Sequence, residues 1–321
     1  MTLVKRIFLQ REYGVAALLL LMIAVVTAVD HNFLSRQNFL DILMATVPVA
    51  IVACGLTFVI VLGEIDISVG SLLGLTAVVL GLLTSLDHAK QPVVVGVAAV
   101  LALGTFVGLV NGVLIVFGRV PSIIVTLGML TALKGLMVIL MNGENIQNLP
   151  DSVRFLGTGT LVGVPIPLLI AAVVIAFSAG LAVYTPLGRR LYAAGSNPHA
   201  AELAGLSVRG LKLFAFTYTG FLTAVAALVT APRLSVIEDS AGKDLELMVV
   251  TAVVVGGTSL SGGRGTIAGS LLAAILLGSV STALIFLKFS AATYWERAIQ
   301  GGFILAAVLV DHLARRDGET P

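Results

Sequence analysis

The chain has 321 residues, 58% of them hydrophobic and only 11% charged, with a formal net charge of +2 and a mean hydropathy of +1.08. A soluble domain carries about a quarter charged residues, so this composition excludes a water-soluble globular fold and places the chain in a bilayer. The balanced charge leaves no footprint for nucleic acid, the single cysteine, Cys54, excludes a disulfide framework or thiolate metal site, and the scattered His31, His88, His199 and His312 give no metal-ligand spacing.

About 20 apolar residues cross a bilayer. Runs between polar breaks predict ten spans, at roughly 14–30, 39–62, 68–86, 92–117, 121–141, 164–184, 210–231, 244–257, 264–287 and 294–311. The first follows Lys5, Arg6 and Arg11. It is read as a retained span rather than a signal peptide, because it is long and no convincing cleavage site follows it. The eighth is short, as expected of a broken or tilted helix. The expected fold is an all-α membrane protein of about ten transmembrane helices. It forms one membrane domain over 1–321, with a first half of about 1–141 and a second of about 164–321. The longer connections, 142–163 and 185–209, are too short to hold a folded domain.

With the N-terminus in the cytoplasm, the inner segments hold Lys5, Arg6, Arg11, Arg119, Arg189, Arg190, Arg209, Lys212, Arg264, Arg315 and Arg316. The outer loops hold only Arg36, Lys90, Arg154, Arg233, Lys243 and Lys288. This bias obeys the positive-inside rule and puts both termini in the cytoplasm. Glu144, Asp151, Arg154, Glu238, Asp239, Lys243 and Asp244 then give the outer loops a charged rim, of the kind that steers a partner's approach. Lys134 and Arg297 fall within spans. The long stem of Lys134 lets its ammonium snorkel toward the outer face.

TAVVLG at 76–81 recurs as TAVVVG at 251–256, and GLVNGVLIVF at 108–117 has a weaker echo in GSVSTALIFL at 278–287. Corresponding spans then run in opposite directions, which is either an inverted repeat of two five-helix halves or chance in a chain dominated by Ala, Val, Leu and Gly. Gly104, Gly108 and Gly112, Gly70 and Gly74, and Gly265 and Gly269 are spaced four apart, the pattern of close helix packing in lipid. Polar side chains on otherwise apolar spans, Thr57, Asn111, Thr126 and Thr131, are candidate lining of a substrate path. Asn111 also suits a hydrogen bond to a neighbouring helix.

The segment GEIDISVGS, 63–71, sets Glu64 and Asp66 among Gly63, Ser68 and Gly70 at the cytoplasmic edge between the second and third spans. Asp66 or Ser68 can accept from the open N–H groups of the next helix, and a negative charge suits its dipole. The segment is read as a capped turn, against the alternative of a proton or cation site, because no second embedded charge pairs with it.

GEIDISVGS resembles the Gly-Gly-Ile-Asp-Leu-Ser-Val-Gly-Ser signature of ribose-type permeases of ATP-binding-cassette (ABC) importers, with Glu64 standing where that family usually has Gly. NGVLIVFGRVPSIIVTLG (111–128), GRRLYAAGSNPHAAELAGLSV (188–208) and VVVGGTSLSGGRGTIAGSLLAAILLG (253–278) fit the same family in its order. The resemblance implies a multi-pass permease of the bacterial inner membrane that pairs with a second permease copy or paralogue. It would dock cytoplasmic ATPases and receive sugar from a periplasmic binding protein. No GxxxxGK[ST] loop occurs here, so ATP and Mg²⁺ belong to the partner subunit and this chain is not an enzyme. The docking element is expected at Asn197–Gly205. There Asn197 serves as N-cap and Pro198 as first helical residue, and Ala200, Ala201, Glu202, Leu203 and Ala204 are presented. In the family this stretch resembles the coupling helix. The expected cargo is a monosaccharide or similar neutral polar solute. The alternatives are an ion-coupled secondary transporter, or the same machine with a non-sugar cargo such as a branched amino acid.

Overall fold

The computed structural model describes residues 11–289 and 292–316; Lys5 and Arg6 lie outside the described residues. All ten predicted runs are helices: α1 (Arg11–Val29), α2 (Arg36–Val61), α3 (Val69–Thr84), α4 (Val93–Val116), α5 (Ser122–Met141), α7 (Ile166–Tyr184), α10 (Val208–Thr230), α11 (Leu245–Val255), α12 (Ile267–Phe286) and α13 (Ala292–Arg316). Three short helices lie in the longer connections: α6 (Asp151–Thr158), α8 (Pro186–Ser196) and α9 (Pro198–Leu203). A two-residue hairpin, β1 (Thr160–Leu161) with β2 (Val164–Pro165), completes the outer connection. Helix starts follow the prolines. Pro92, Pro121, Pro150 and Pro165 each stand immediately before a helix, where a missing N–H and an extended preceding residue cost nothing.

Among the described residues seven helices are long and apolar enough to cross a membrane: α1, α2, α4, α5, α7, α10 and α12. The apolar α3 and α11 are shorter, at 16 and 11 residues. At 1.5 Å per residue α11 is about 16 Å long, half the hydrocarbon thickness.

The core is built on α2. Ile51, Val52, Leu56, Phe58, Val59 and Ile60 are wholly buried, enclosed by α7, α10, α11 and α12. Such all-round apolar character marks a central rather than lipid-facing helix. Along α4, Gly104, Gly108 and Gly112 form the expected seam, and its partner is α10. A β-carbon on Gly104 would stand 2.6 Å from both the Gly220 carbonyl and the Ala224 side chain, and one on Gly108 would stand 3.1 Å from the Gly220 Cα. The backbones touch, which is how helices gain packing energy where lipid is as apolar as the side chains.

The other two glycine pairs behave differently from the helix–helix seam predicted. Gly70 and Gly74 on α3 face the turn at Ala241 and Gly242, with the Glu246 side chain of α11 over Gly70, rather than the backbone of a second helix. Gly265 precedes α12 and adopts φ +154°, while Gly269 lies against Gly256.

These contacts fix the path of two non-helical segments. Ser85, just past α3, donates to the Gln147 carbonyl at 2.6 Å, and Gly81 abuts Ile146 and Ile237. From Ile237 the chain runs back along α3 as far as Gly70 before α11 begins. The segment expected wholly in an outer loop therefore reaches down beside α3. At the opposite end, the Val61 carbonyl closing α2 accepts from Gly263 N–H at 2.8 Å, and residues 62–68 return upward to open α3.

Candidate functional site

The connection 185–207 is ordered by its caps. Thr185 accepts from Gly188 N–H at 3.1 Å and opens α8. Asn197 accepts from Ala200 N–H at 2.9 Å and opens α9, with Pro198 at its first position. Gly205, at φ +81°, ends α9. There Leu206 N–H donates to the Ala201 carbonyl and Gly205 N–H to the Glu202 carbonyl, both at 2.9 Å, the double closure that a left-handed glycine permits. The predicted helix is thus present. Ala201 is its buried side, while Ala200, Glu202, Leu203 and Ala204 are exposed. Leu203 is 78% exposed, an apolar side chain on the outward face of this short helix.

This short helix is mechanically tied to the membrane body. Gly195, near the end of α8, lies so close to the Val61 carbonyl and Gly263 that no side chain fits. Tyr192 donates to the Gly265 carbonyl at 2.8 Å. Burial, with the Glu12 carboxylate near it, pushes the Tyr192 phenol up from its ordinary range. Through α8, α9 is thus joined to the end of α2 and to the residue just before α12.

The 63–71 segment follows directly from that end of α2. Gly63 takes φ +74°, the left-handed conformation that favours glycine. Glu64 forms an ion pair with Lys212 of α10. Asp66 is 2% exposed and Ser68 fully buried. The Asp66 carboxylate accepts from Ser68 N–H at 2.9 Å and from its hydroxyl at 2.6 Å; Asn111 Nδ2 donates to the same hydroxyl at 3.0 Å. The capped turn is present, but with two corrections. Ser68 makes no side-chain cap of its own, and the carboxylate is enclosed by protein rather than set at an aqueous edge. Gly70 is helical; its missing side chain serves a close approach, not an irregular backbone.

Residues 38–308 match the family described as branched-chain amino acid transport system / permease component. The chain belongs to this permease family. Among the relatives of the permease, the ribose import permease protein RbsC of Haemophilus influenzae is 38% identical over 92% of this chain and 91% of its own length. The L-arabinose ABC transporter permease protein AraH of Azospirillum brasilense is 35% identical over 94% and 88%. The autoinducer 2 import system permease protein LsrC of Photorhabdus laumondii is 32% identical over 94% and 88%. No solved structure matches the chain.

The four polar residues suggested as path lining are not gathered around one opening in this permease. Thr57 is wholly buried, bonding the Ala53 carbonyl at 2.6 Å and the Ser270 hydroxyl at 2.9 Å. Thr126 is buried on the Ser122 carbonyl at 2.9 Å, and Asn111 holds the Asp66 turn. Apart from the Asn111 Oδ1, which is buried without a partner among the described residues, their hydrogen bonds are spent within the helix packing. Only Thr131 is exposed. A small cavity of about 50 Å³ lies close to it, lined by Ser71, Leu130, Lys134, Met137, Asp239, Lys243 and Glu246, among others. Lys134 thus stands with carboxylates of the 238–246 segment. Sequence reasoning missed Glu246, because it opens an otherwise apolar run; its spacing from Asp239 and Lys243 was the available signal.

Proposed function

We propose that this permease is the membrane-spanning subunit of an ABC importer that carries a monosaccharide or similar neutral polar solute into the cytoplasm. The observation that carries the proposal is α9. It is a helix of only six residues, held by a cap at each end, offering Leu203 to a partner and bound through α8 to the end of α2. A cytoplasmic ATPase that grips α9 more tightly in one state than the other would shift the permease between outward- and inward-open forms, since only differential binding moves such an equilibrium. The sequence has no P-loop of its own, so ATP and Mg²⁺ are assigned to that partner. The relatives are named for ribose, L-arabinose and autoinducer 2, which favours a sugar-like cargo over the amino acid of the family description. A periplasmic binding protein at the outer loops and a second permease subunit complete the machine, with both termini in the cytoplasm.

Ten membrane helices and an inverted repeat are part of the same reading. Both α2 and α10 are followed by a non-helical return and then by a short apolar helix, α3 or α11. The repeats TAVVLG and TAVVVG fall on those short helices. Gly108 of α4 packs on α10, and Gly278 of α12 packs on Thr46 of α2, so each half lends a helix to the other in reciprocal fashion.

The test is co-purification from the native membrane, followed by transport in vesicles. An ATPase chain and a binding protein travelling with the permease, and uptake that needs ATP, support the proposal. A permease that emerges alone and moves solute without ATP sinks it. The second reading, ion-coupled transport, then takes its place, favoured by Lys134 and Glu246 around the small cavity.

A further inference from the structure

Lys134 is the thirteenth of twenty residues in α5, about 4 Å past the helix midpoint at 1.5 Å per residue. It is exposed on the surface of this chain. A charged side chain at that depth faces protein or a water-filled cavity, not hydrocarbon. Thr131, one turn away, is exposed on the same helix.

Across the cavity lie the openings of two short helices. Val69 begins α3 and Leu245 begins α11, and Gly70 and Gly74 meet Ala241 and Gly242 there. Half-length helices that start inside the membrane mark solute sites in transporters, because freed backbone and side chains converge at one level. The Glu246 side chain is seated over Gly70, where any β-carbon would collide with its carboxylate. Among the described residues neither the Glu246 carboxylate nor the Lys134 ammonium has a side-chain hydrogen-bond or ion-pair partner. The Glu246 carboxylate, the Lys134 ammonium and the Ser71 hydroxyl therefore line one cavity as acceptor, donor and both.

We propose that Glu246, Lys134 and Ser71 form the contact site for cargo in the membrane, and that the cargo is an uncharged polyol. This deepens the importer reading and rests on it. Carboxylate oxygens accept from neighbouring hydroxyls, an ammonium donates to hydroxyl oxygens, and a serine does both. Around the cavity Lys134 and Lys243 balance Asp239 and Glu246, so the site prefers neither an anion nor a cation. Its volume, about 50 Å³, is well below the roughly 300 Å³ at which small-molecule pockets begin. In the form described here the site is closed, and α5 and the start of α11 separate to admit the solute.

The experiment uses the assembled importer, with its ATPase and binding protein, in proteoliposomes, and ribose and arabinose as probes. Glu246→Ala and Lys134→Ala each lower uptake about tenfold, the loss of one charge-assisted hydrogen bond. Glu246→Gln, which keeps one acceptor oxygen, falls less. Independently, Thr131→Cys reacts with a charged, membrane-impermeant methanethiosulfonate, and Val173→Cys, 69% exposed on α7, does not react and transports as wild type. The native Cys54 is 2% exposed and silent. Uptake by Glu246→Ala and Lys134→Ala at the wild-type rate, or a Thr131→Cys as inert as Val173→Cys, overturns the site. Wild-type uptake without ATP fells the importer reading instead, and the labelling pattern still decides the site.

Discussion

Glu64 and Lys212 form an ion pair that ties the return segment after α2 to the N-terminal end of α10. Their side chains are 14% and 27% exposed, so water screens the pair only in part. Glu64 has no positive φ; nothing in its backbone needs the glycine usual in the ribose-type signature. Its role is the pairing. Glu64→Gln or Lys212→Met is expected to lower the stability of the detergent-solubilised permease by about 1 kcal/mol, read by thermal unfolding. The exchanged pair, Glu64→Lys with Lys212→Glu, recovers most of the loss. Equal unfolding temperatures for all three variants and wild type would refute the pairing.

Asp66 predicts a larger effect. Removing it by Asp66→Ala strands the buried Ser68 N–H and hydroxyl, at about 1–3 kcal/mol for each orphaned group. Asp66→Asn keeps one acceptor oxygen and costs less. Asn111→Ala removes the next bond in the chain and follows Asp66→Ala in direction. Size-exclusion profiles after a temperature ramp rank the three, and an Asp66→Asn as damaging as Asp66→Ala would show that charge, not acceptance, is what the turn needs.

Position decides what a glycine is worth. Gly108 meets the backbone of Phe216 and Gly220, whereas nothing lies within 4 Å of a β-carbon on Gly128. Gly108→Val is expected to cost at least about 1–3 kcal/mol by overpacking. Gly128→Ala, in the open middle of α5, gains about 0.5–1 kcal/mol from helix propensity. Opposite signs in thermal unfolding are the expected result; two variants of equal stability would contradict the seam.

Hydropathy runs made every long helix legible, because lipid and the helix interior ask for the same residues over the same length. The α9 caps were legible too, since Asn, Pro and Gly act through local backbone chemistry. The depth of a segment was not. Asp239, Lys243 and Asp244 look like an outer loop by charge, yet the chain there descends along α3, because Gly70, Gly74 and Gly242 allow backbones to touch. That approach depends on residues about 170 positions apart, which no local pattern encodes. Thr57, Asn111 and Thr126 looked like path lining for the same reason in reverse. A buried hydroxyl that bonds its own helix and one that faces a solute are the same letter in sequence.

Leu203 and Glu202 give the decisive coupling prediction. Both side chains are exposed at the tip of α9, while Ala201 anchors its inner side. Leu203→Asp with Glu202→Ala leaves the caps at Asn197 and Gly205 and the membrane packing intact, so thermal stability stays within about 0.5 kcal/mol, as for surface changes elsewhere. An apolar anchor at the centre of an interface is worth about 2 kcal/mol or more, so the partner ATPase should be retained at least about thirtyfold less well on purification, and ATP-driven uptake should fall with it. Asn197→Ala tests the same element differently. It loosens the helix by about 1 kcal/mol without touching the contact side chains, and reduces uptake by a smaller factor. If the double variant keeps its ATPase and transports at the wild-type rate, α9 is an ordinary solvated turn, and the force on α2 must enter the permease elsewhere.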